Sequence, residues 1–171
     1  MSSPGTGRTV DVVVVGGGAV GENAADYAVR AGLSALIVES ELLGGECSYW
    51  ACMPSKALLR TGHAVMAVRR LPGTTADFDP QAVLERRDRF TGNWNDEGQV
   101  EWARGADIAV LRGSGRLAGE RTVEVETGLG RTVTVTARRA VVVCTGSVPV
   151  QQPCRARPGP HLDLTRRASR S

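Results

Sequence analysis

The sequence predicts an α/β fold, a parallel sheet with helices packed on it and a β-meander attached, and three observations carry that prediction. Residues 12 to 15 are an unbroken valine run, as in a parallel strand buried on both faces. A glycine-rich turn and a helix of small residues follow, and a second apolar run, "ALIV", ends at Glu39. Residues 107 to 136 alternate as "IAVLRGSGRLAG", "TVEVET" and "TVTVTA", strands separated by glycine turns. With 171 residues and 42% hydrophobic content there is material for one domain with a buried core, but little for two. Only 4% of residues are aromatic against 21 glycines, so the core is expected to be Val, Leu, Ala and Ile around glycine-dependent turns.

The first strand runs into Gly16, Gly18 and Gly21, a GxGxxG. The first glycine allows a tight turn, the second lets the backbone approach a pyrophosphate, and the third lets helix and strand pack closely. Ala24, Ala25, Ala28 and Ala31 then give a helix that can lie against a sheet, with Gly32 as its stop. GxGxxG alone is a weak signal. Here it follows a strand, opens a helix and has an acid about 20 residues on, which is the context that makes it a dinucleotide site. The phosphates would sit at the helix N-terminus, where free N–H groups and the helix dipole favour negative charge. Glu39 would accept hydrogen bonds from ribose hydroxyls and would repel a 2′-phosphate, favouring FAD or NAD over NADP.

The next segment, "GGECSYWACMPSKALLR", holds Cys47 and Cys52 with four residues between them. Pro54 suits the first position of a helix continued by Ala57, Leu58 and Leu59. Cys52 would stand at that helix's N-terminal end, where the dipole favours a thiolate, with Cys47 in the preceding turn as its natural partner. Other readings compete with a redox pair. A zinc site wants four ligands, yet Cys144, Cys154, His63 and His161 are scattered without paired ligand spacing, so no metal is expected. Free buried thiols account for one cysteine but not for two around a helix start. A permanent disulfide is disfavoured in a reducing compartment. That compartment is the default because "MSSPGTGRTV" has no apolar leader and no stretch approaches a membrane span. A cytoplasmic protein with no membrane partner is expected.

Charge weighs against another class. The formal net charge is +3, but residues 151 to 171 carry +4, which leaves −1 for residues 1 to 150. A nucleic-acid domain would show a basic stripe on its folded surface rather than a basic tail, so no nucleic-acid partner is expected.

At this point the residues carry a resemblance. "GGECSYWACMPSKALL" resembles the redox-disulfide segment, GGxCxxxxCxPSK, of the class I pyridine nucleotide-disulfide oxidoreductases, the family of dihydrolipoamide dehydrogenase, glutathione reductase, mycothione reductase and mercuric reductase. The fingerprint and the acid precede it in family order and spacing, and "RRAVVVCTGSVPV" resembles the strand and ATG turn that close the first part of the family's FAD domain, with Cys144 where alanine is usual. The resemblance covers residues 10 to about 150 and implies a Rossmann-like FAD-binding domain. It implies that Gly16, Gly18, Gly21 and Glu39 bind the ADP part of FAD, that Cys52 faces the flavin as charge-transfer thiol, and that Cys47 is the interchange thiol. Lys56 matches the PSK lysine near the flavin ring, Gly115 a position on the adenine side, and Thr145 and Gly146 the second FAD turn. The implied activity passes electrons from NAD(P)H through FAD and the disulfide to a disulfide or other small acceptor. The substrate is not read from these residues, although Tyr49 and Trp50 depart from the small or aliphatic residues usual inside the disulfide loop.

The rest of the body adds little chemistry. Residues 80 to 103 read as a polar helix from Asp79-Pro80 whose continuity Gly92 and Gly98 put in doubt, Trp94 and Trp102 read as packing or interface residues rather than a ligand box, and His63 as facing solvent or packing on its helix. Family members are longer. They continue with an NAD(P)H domain bearing its own glycine fingerprint and a dimerisation domain that supplies a His-Glu pair, and they are homodimers. Neither signature occurs in these 171 residues. From Pro153 the composition turns to Arg, Pro, Ser and Ala without apolar periodicity. Residues 1–150 are therefore expected to be the FAD-binding domain, incomplete relative to the family, and 151–171 a basic, disordered tail from a truncated or out-of-frame coding sequence. A vestigial flavin-binding module without catalysis is the alternative.

Overall fold

A computed structural model describes residues 7–128 and 130–147. The tail and the end of the second turn, from residue 148 onward, lie outside the described residues.

Strand β1 (Arg8–Val15) leads into helix α1 (Ala19–Arg30), then β2 (Ala35–Glu39), the short helix α2 (Gly45–Tyr49) and the long helix α3 (Cys52–Arg69). Helices α4 (Pro80–Phe90) and α5 (Glu97–Gly105) follow, then β3 (Ile108–Arg112), β4 (Ser114–Gly119), β5 (Thr122–Glu126) and β6 (Thr132–Val143). These strands form one sheet of order β3-β2-β1-β6-β5-β4. The pairs β3/β2, β2/β1 and β1/β6 are parallel, and β6/β5 and β5/β4 antiparallel.

The two unbroken apolar runs are explained by what covers each face. Side chains alternate along a strand. Val12, Val14, Ala35 and Ile37 accordingly join Ala25 of α1 and Ala103 of α5 in one core cluster. Val13, Val15, Leu36 and Val38 join Val123, Val125, Val135 and Ala137 of the meander in another. Neither run can tolerate a polar position, because helices cover one side and the meander the other. Val13, Val14 and Ile37 are fully buried, each stabilising the fold by about 1.5–3 kcal/mol.

The meander reaches that second face through β6. Its first residues, Thr132–Thr136, pair with β5, and Val135–Val143 pair with β1. "TVTVTA" and "RRAVVV", read from sequence as separate elements, are one strand of 12 residues. The β1/β6 register shifts between Val10 and Val12, a bulge that increases local twist. The segment "IAVLR" also differs from expectation, since it is the parallel edge strand β3 rather than part of the meander.

The polar helix expected over residues 80–103 is two helices. Asp79 caps α4 by accepting from Gln81 N–H, with Pro80 at its start. The break falls at a 3₁₀ turn over Gly92–Trp94, where Gly92, Asn93 and Trp94 all have positive φ. Gly98 lies inside α5 without interrupting it. His63 is exposed, as expected. Among the described residues no helix is long and apolar enough to cross a membrane.

Candidate functional site

Because β1, β2, β3 and β6 run in the same direction, their carboxyl ends bring Gly16–Gly18, Glu39, Arg112 and Cys144–Gly146 to one edge. Open α/β sheets bind ligands at that edge. The turn after β1 and the turn after β6 meet there. Gly16 has φ +101°, and a Cβ on it would lie 2.3 Å from the Cys144 carbonyl oxygen. Gly21 is equally constrained, since its Cβ would sit 1.9 Å from the Gly16 carbonyl oxygen. Gly18 is different: a Cβ there would meet only the Gly45 Cα, at 4.0 Å. It faces a space rather than a wall. Gly18 is also the N-cap of α1, where no side chain caps the first turn, so those N–H groups are left for a ligand. This is a cradle suited to a pyrophosphate.

Glu39 ends β2 and is buried. Its Oε2 accepts the Gly17 N–H at 2.7 Å and its Oε1 the Glu41 N–H at 2.7 Å. Each carboxylate oxygen has a second lone-pair site, which leaves capacity for the hydroxyl donors of a ribose. Sequence reasoning assigned Glu39 to a ligand only; it also holds the glycine turn in place.

The cysteine segment is docked onto that turn. Gly44 N–H donates to the Gly17 carbonyl at 2.7 Å, Gly18 and Gly44 form an isolated parallel bridge, and a Cβ on Gly45 would come within 2.8 Å of the Gly18 Cα. Gly44 and Gly45 have φ of +111° and +60°. Two glycines are needed here both for conformation and for close approach. They place Cys47 on α2, which is a helical turn rather than an irregular one. Helix α3 opens at Cys52 itself, so Pro54 takes the third helical position, where a missing N–H still costs nothing.

Cys47 and Cys52 are free thiols and neighbours, both partly buried. The Cys47 thiol is held above the ordinary thiol range, first by its hydrogen bond with Cys52, then by burial and the charge Cys52 can carry, with Lys56 opposing and Glu22 adding. Lys56 lies one turn beyond Cys52 on α3, exposed. Thr145 and Gly146 are exposed beyond β6, Gly146 with φ +68°. Gly115 lies on the meander face, where its absent side chain lets β4 approach Val38 and Val15; a Cβ would be 3.0 and 3.2 Å from their methyls.

Glu22, Gln99, Asp96 and Arg112 matter here and carried no local signal. Glu22 of α1 accepts from Gln99 of α5 at 3.0 Å, and burial raises its carboxyl pKa. Asp96 accepts the Leu43 N–H at 2.6 Å and pairs with Arg112, whose guanidinium also reaches the Glu41 carbonyl at 2.7 Å. Tyr49, inside the cysteine loop, is buried, and its phenol is pushed up to about 12 by burial and by the Asp96 and Glu22 charges. These are contacts across tens of residues, which no periodicity reveals. Among the described residues no group of three or more His, Cys, Asp and Glu is placed to hold a metal ion.

The fold and site define a dinucleotide-binding α/β domain with a close cysteine pair at the carboxyl edge of its sheet. The family model described as "Pyridine nucleotide-disulphide oxidoreductase" matches residues 10–168. The chain belongs to that family. It is 36% identical over 146 residues to a dihydrolipoyl dehydrogenase of Chlorobaculum tepidum, covering 81% of this chain and 30% of the relative. It is 31% identical over 159 residues to a mercuric reductase of Streptomyces lividans, covering 90% of this chain and 32% of the relative. The chain thus spans about a third of the length of the curated relatives it matches. A Cu(II) complex of the HOCl-induced flavoprotein disulfide reductase RclA from Escherichia coli shares the fold, with TM-score 0.69, 19% identity, and coverage of 85% of this chain and 30% of that one.

Proposed function

We propose that this chain binds FAD and carries the dithiol–disulfide centre of a pyridine nucleotide-disulfide oxidoreductase, acting in the cytosol on a disulfide or other small electron acceptor. The observation that carries the reading is the docking of the Gly44–Gly45 pair onto Gly17–Gly18, which joins the nucleotide cradle to the cysteine segment by backbone contacts. When bound, FAD supplies a two-electron carrier beside the cysteines.

The chain's own residues have separable tasks. The first-turn N–H groups of α1 and the Gly16–Gly18 backbone hold the pyrophosphate, and Glu39 takes the ribose hydroxyls. Thr145, Gly146 and Gly115 border that site. Lys56 places a cation near the thiols. Cys52, at the start of α3, is the thiol on the flavin side, and Cys47 is the interchange thiol. With Cys47 as thiolate, attack on an acceptor disulfide breaks that bond, forms a mixed disulfide and releases one thiol. Cys52 then attacks the Cys47 sulfur, the Cys47–Cys52 bond forms and the second acceptor thiol leaves, so two electrons pass to the acceptor.

By the family resemblance, NAD(P)H would be the electron source and a His-Glu pair of a partner subunit the acid/base for the interchange thiol. A second reading is a flavin-binding module without turnover. The visible spectrum of the purified chain, with FAD added, tests both. A yellow protein whose Cys47 and Cys52 titrate with a dithiol reductant, giving a long-wavelength charge-transfer band, supports the redox centre. FAD binding without thiol titration supports the second reading, and no FAD binding sinks both.

A further inference from the structure

The 3₁₀ turn at Gly92–Trp94 touches the cysteine loop. Gly92, Asn93 and Trp94 have φ of +57°, +54° and +57°. That region is natural for glycine and tolerable for asparagine, but disfavoured for a bulky residue such as tryptophan. A disfavoured backbone persists when its surroundings over-determine it. Here the turn aims the indole, whose Nε1–H donates to the Tyr49 carbonyl at 3.1 Å. The Arg87 guanidinium braces the ring from 5.3 Å. Two residues further on, Asp96 accepts the Leu43 N–H at 2.6 Å. Leu43 immediately precedes the glycine pair, and Tyr49 is the last residue of α2, between the two cysteines. Residues 92–96 therefore grip the redox segment ahead of Cys47 and again after it.

We propose that the 92–96 turn is a clamp that keeps Cys47 beside Cys52 in both redox states, with Trp94 as a positioning residue acting through the Tyr49 carbonyl. The proposal rests on the reading of Cys47 and Cys52 as a redox pair. Held at Leu43 and Tyr49, the loop loses little freedom when the ring closes, so the disulfide is favoured over the dithiol. Without the indole bond the end of α2 is released, and closing the ring must order it.

The test uses the full chain equilibrated with mixtures of reduced and oxidised glutathione. In that reaction the Cys47–Cys52 bond forms, the glutathione disulfide bond breaks, and two electrons and two protons pass to two glutathione thiols. Alkylation followed by mass spectrometry reads the fraction oxidised. Trp94→Phe, which removes the N–H and keeps an aromatic ring, is expected to shift the equilibrium roughly three- to tenfold toward the dithiol, the size of one net hydrogen bond. Gly92→Ala, which strains the turn and leaves the indole intact, should shift it the same way. Trp102→Phe, on the exposed side of α5, should not. Equilibrium constants unchanged in both turn variants would overturn the clamp. So would loss of the native far-UV spectrum in both, because the turn would then hold the fold rather than the loop. If the wild-type chain forms no Cys47–Cys52 disulfide at any glutathione ratio, the redox reading itself fails, a result distinct from a wild type that cycles and variants that match it.

Discussion

At the carboxyl edge of the parallel sheet the chain is held mostly by backbone against backbone: Gly16 N–H to the Val38 carbonyl, Gly44 N–H to Gly17, and Cys144 N–H to Val15. At the amino edge a side-chain network is added to the backbone bonds from the Asp11 and Val12 N–H groups to the Ser34 carbonyl. Asp11 accepts from the Ser34 N–H at 2.9 Å and hydroxyl at 2.7 Å, and from Arg138 at 2.8 and 3.0 Å. On the proposed function, the difference follows from use. An edge that must present N–H groups to a ligand cannot fill the space with side chains, so glycines bring main chain to main chain. The amino edge is closed by a charged network that joins β1 to the loop before β2 and to the bulge of β6.

That comparison can be broken at either edge. The largest effect is expected from Gly21→Ala, whose Cβ would meet the Gly16 carbonyl oxygen at 1.9 Å with backbone on both sides. A loss of about 4 kcal/mol or more in urea unfolding, together with FAD binding, is expected. A variant of native stability would show that close packing is not why glycine stands there. Glu39→Ala comes next. It strands the Gly17 and Glu41 N–H groups and should cost about 1–3 kcal/mol, with weaker FAD binding measured by fluorescence quenching. A variant that lost affinity but no stability would mean that the carboxylate serves the ligand alone.

Asp11→Asn is the mildest change, and its signature is pH dependence. The hydrogen bonds from Arg138 and Ser34 hold the Asp11 carboxyl well below the usual carboxylate range. A depressed folded-state value contributes stability that is present above the unfolded value, about 3.9, and is lost as pH falls toward the folded one. The variant should therefore have a lower urea midpoint than wild type at neutral pH, and the gap should narrow as pH drops below about 4. A gap independent of pH would assign the difference to packing rather than charge.

Much of the nucleotide cradle was legible from residue types alone, since Gly16, Gly18, Gly21 and Glu39 stand in an order that only a strand–turn–helix unit explains. The meander was legible as alternation, but its third strand was not seen to continue through Arg138 and Arg139 into the parallel sheet. Those two polar residues interrupt the pattern because the bulge there brings Arg138 to Asp11. The helix break was half legible. Gly92 flagged it, whereas the left-handed Asn93 and Trp94 beside it carried no signal, because propensity disfavours what tertiary contact imposes.

By itself, the sequence determined the α/β class, the two buried strands, the glycine cradle with its acid, and the pairing in chain order of that cradle with two cysteines. These are local properties, set by side-chain periodicity and by backbone conformations that only glycine adopts readily. Tertiary structure alone decided that Gly44 and Gly45 seat on the cradle, that Glu39 pins it, and that Trp94, Asp96 and Gln99 of a distant segment reach the cysteine loop and the helix beside it. Each is a hydrogen bond or close approach between residues 22 to 77 positions apart, and such contacts exist only once the sheet has brought its carboxyl ends together.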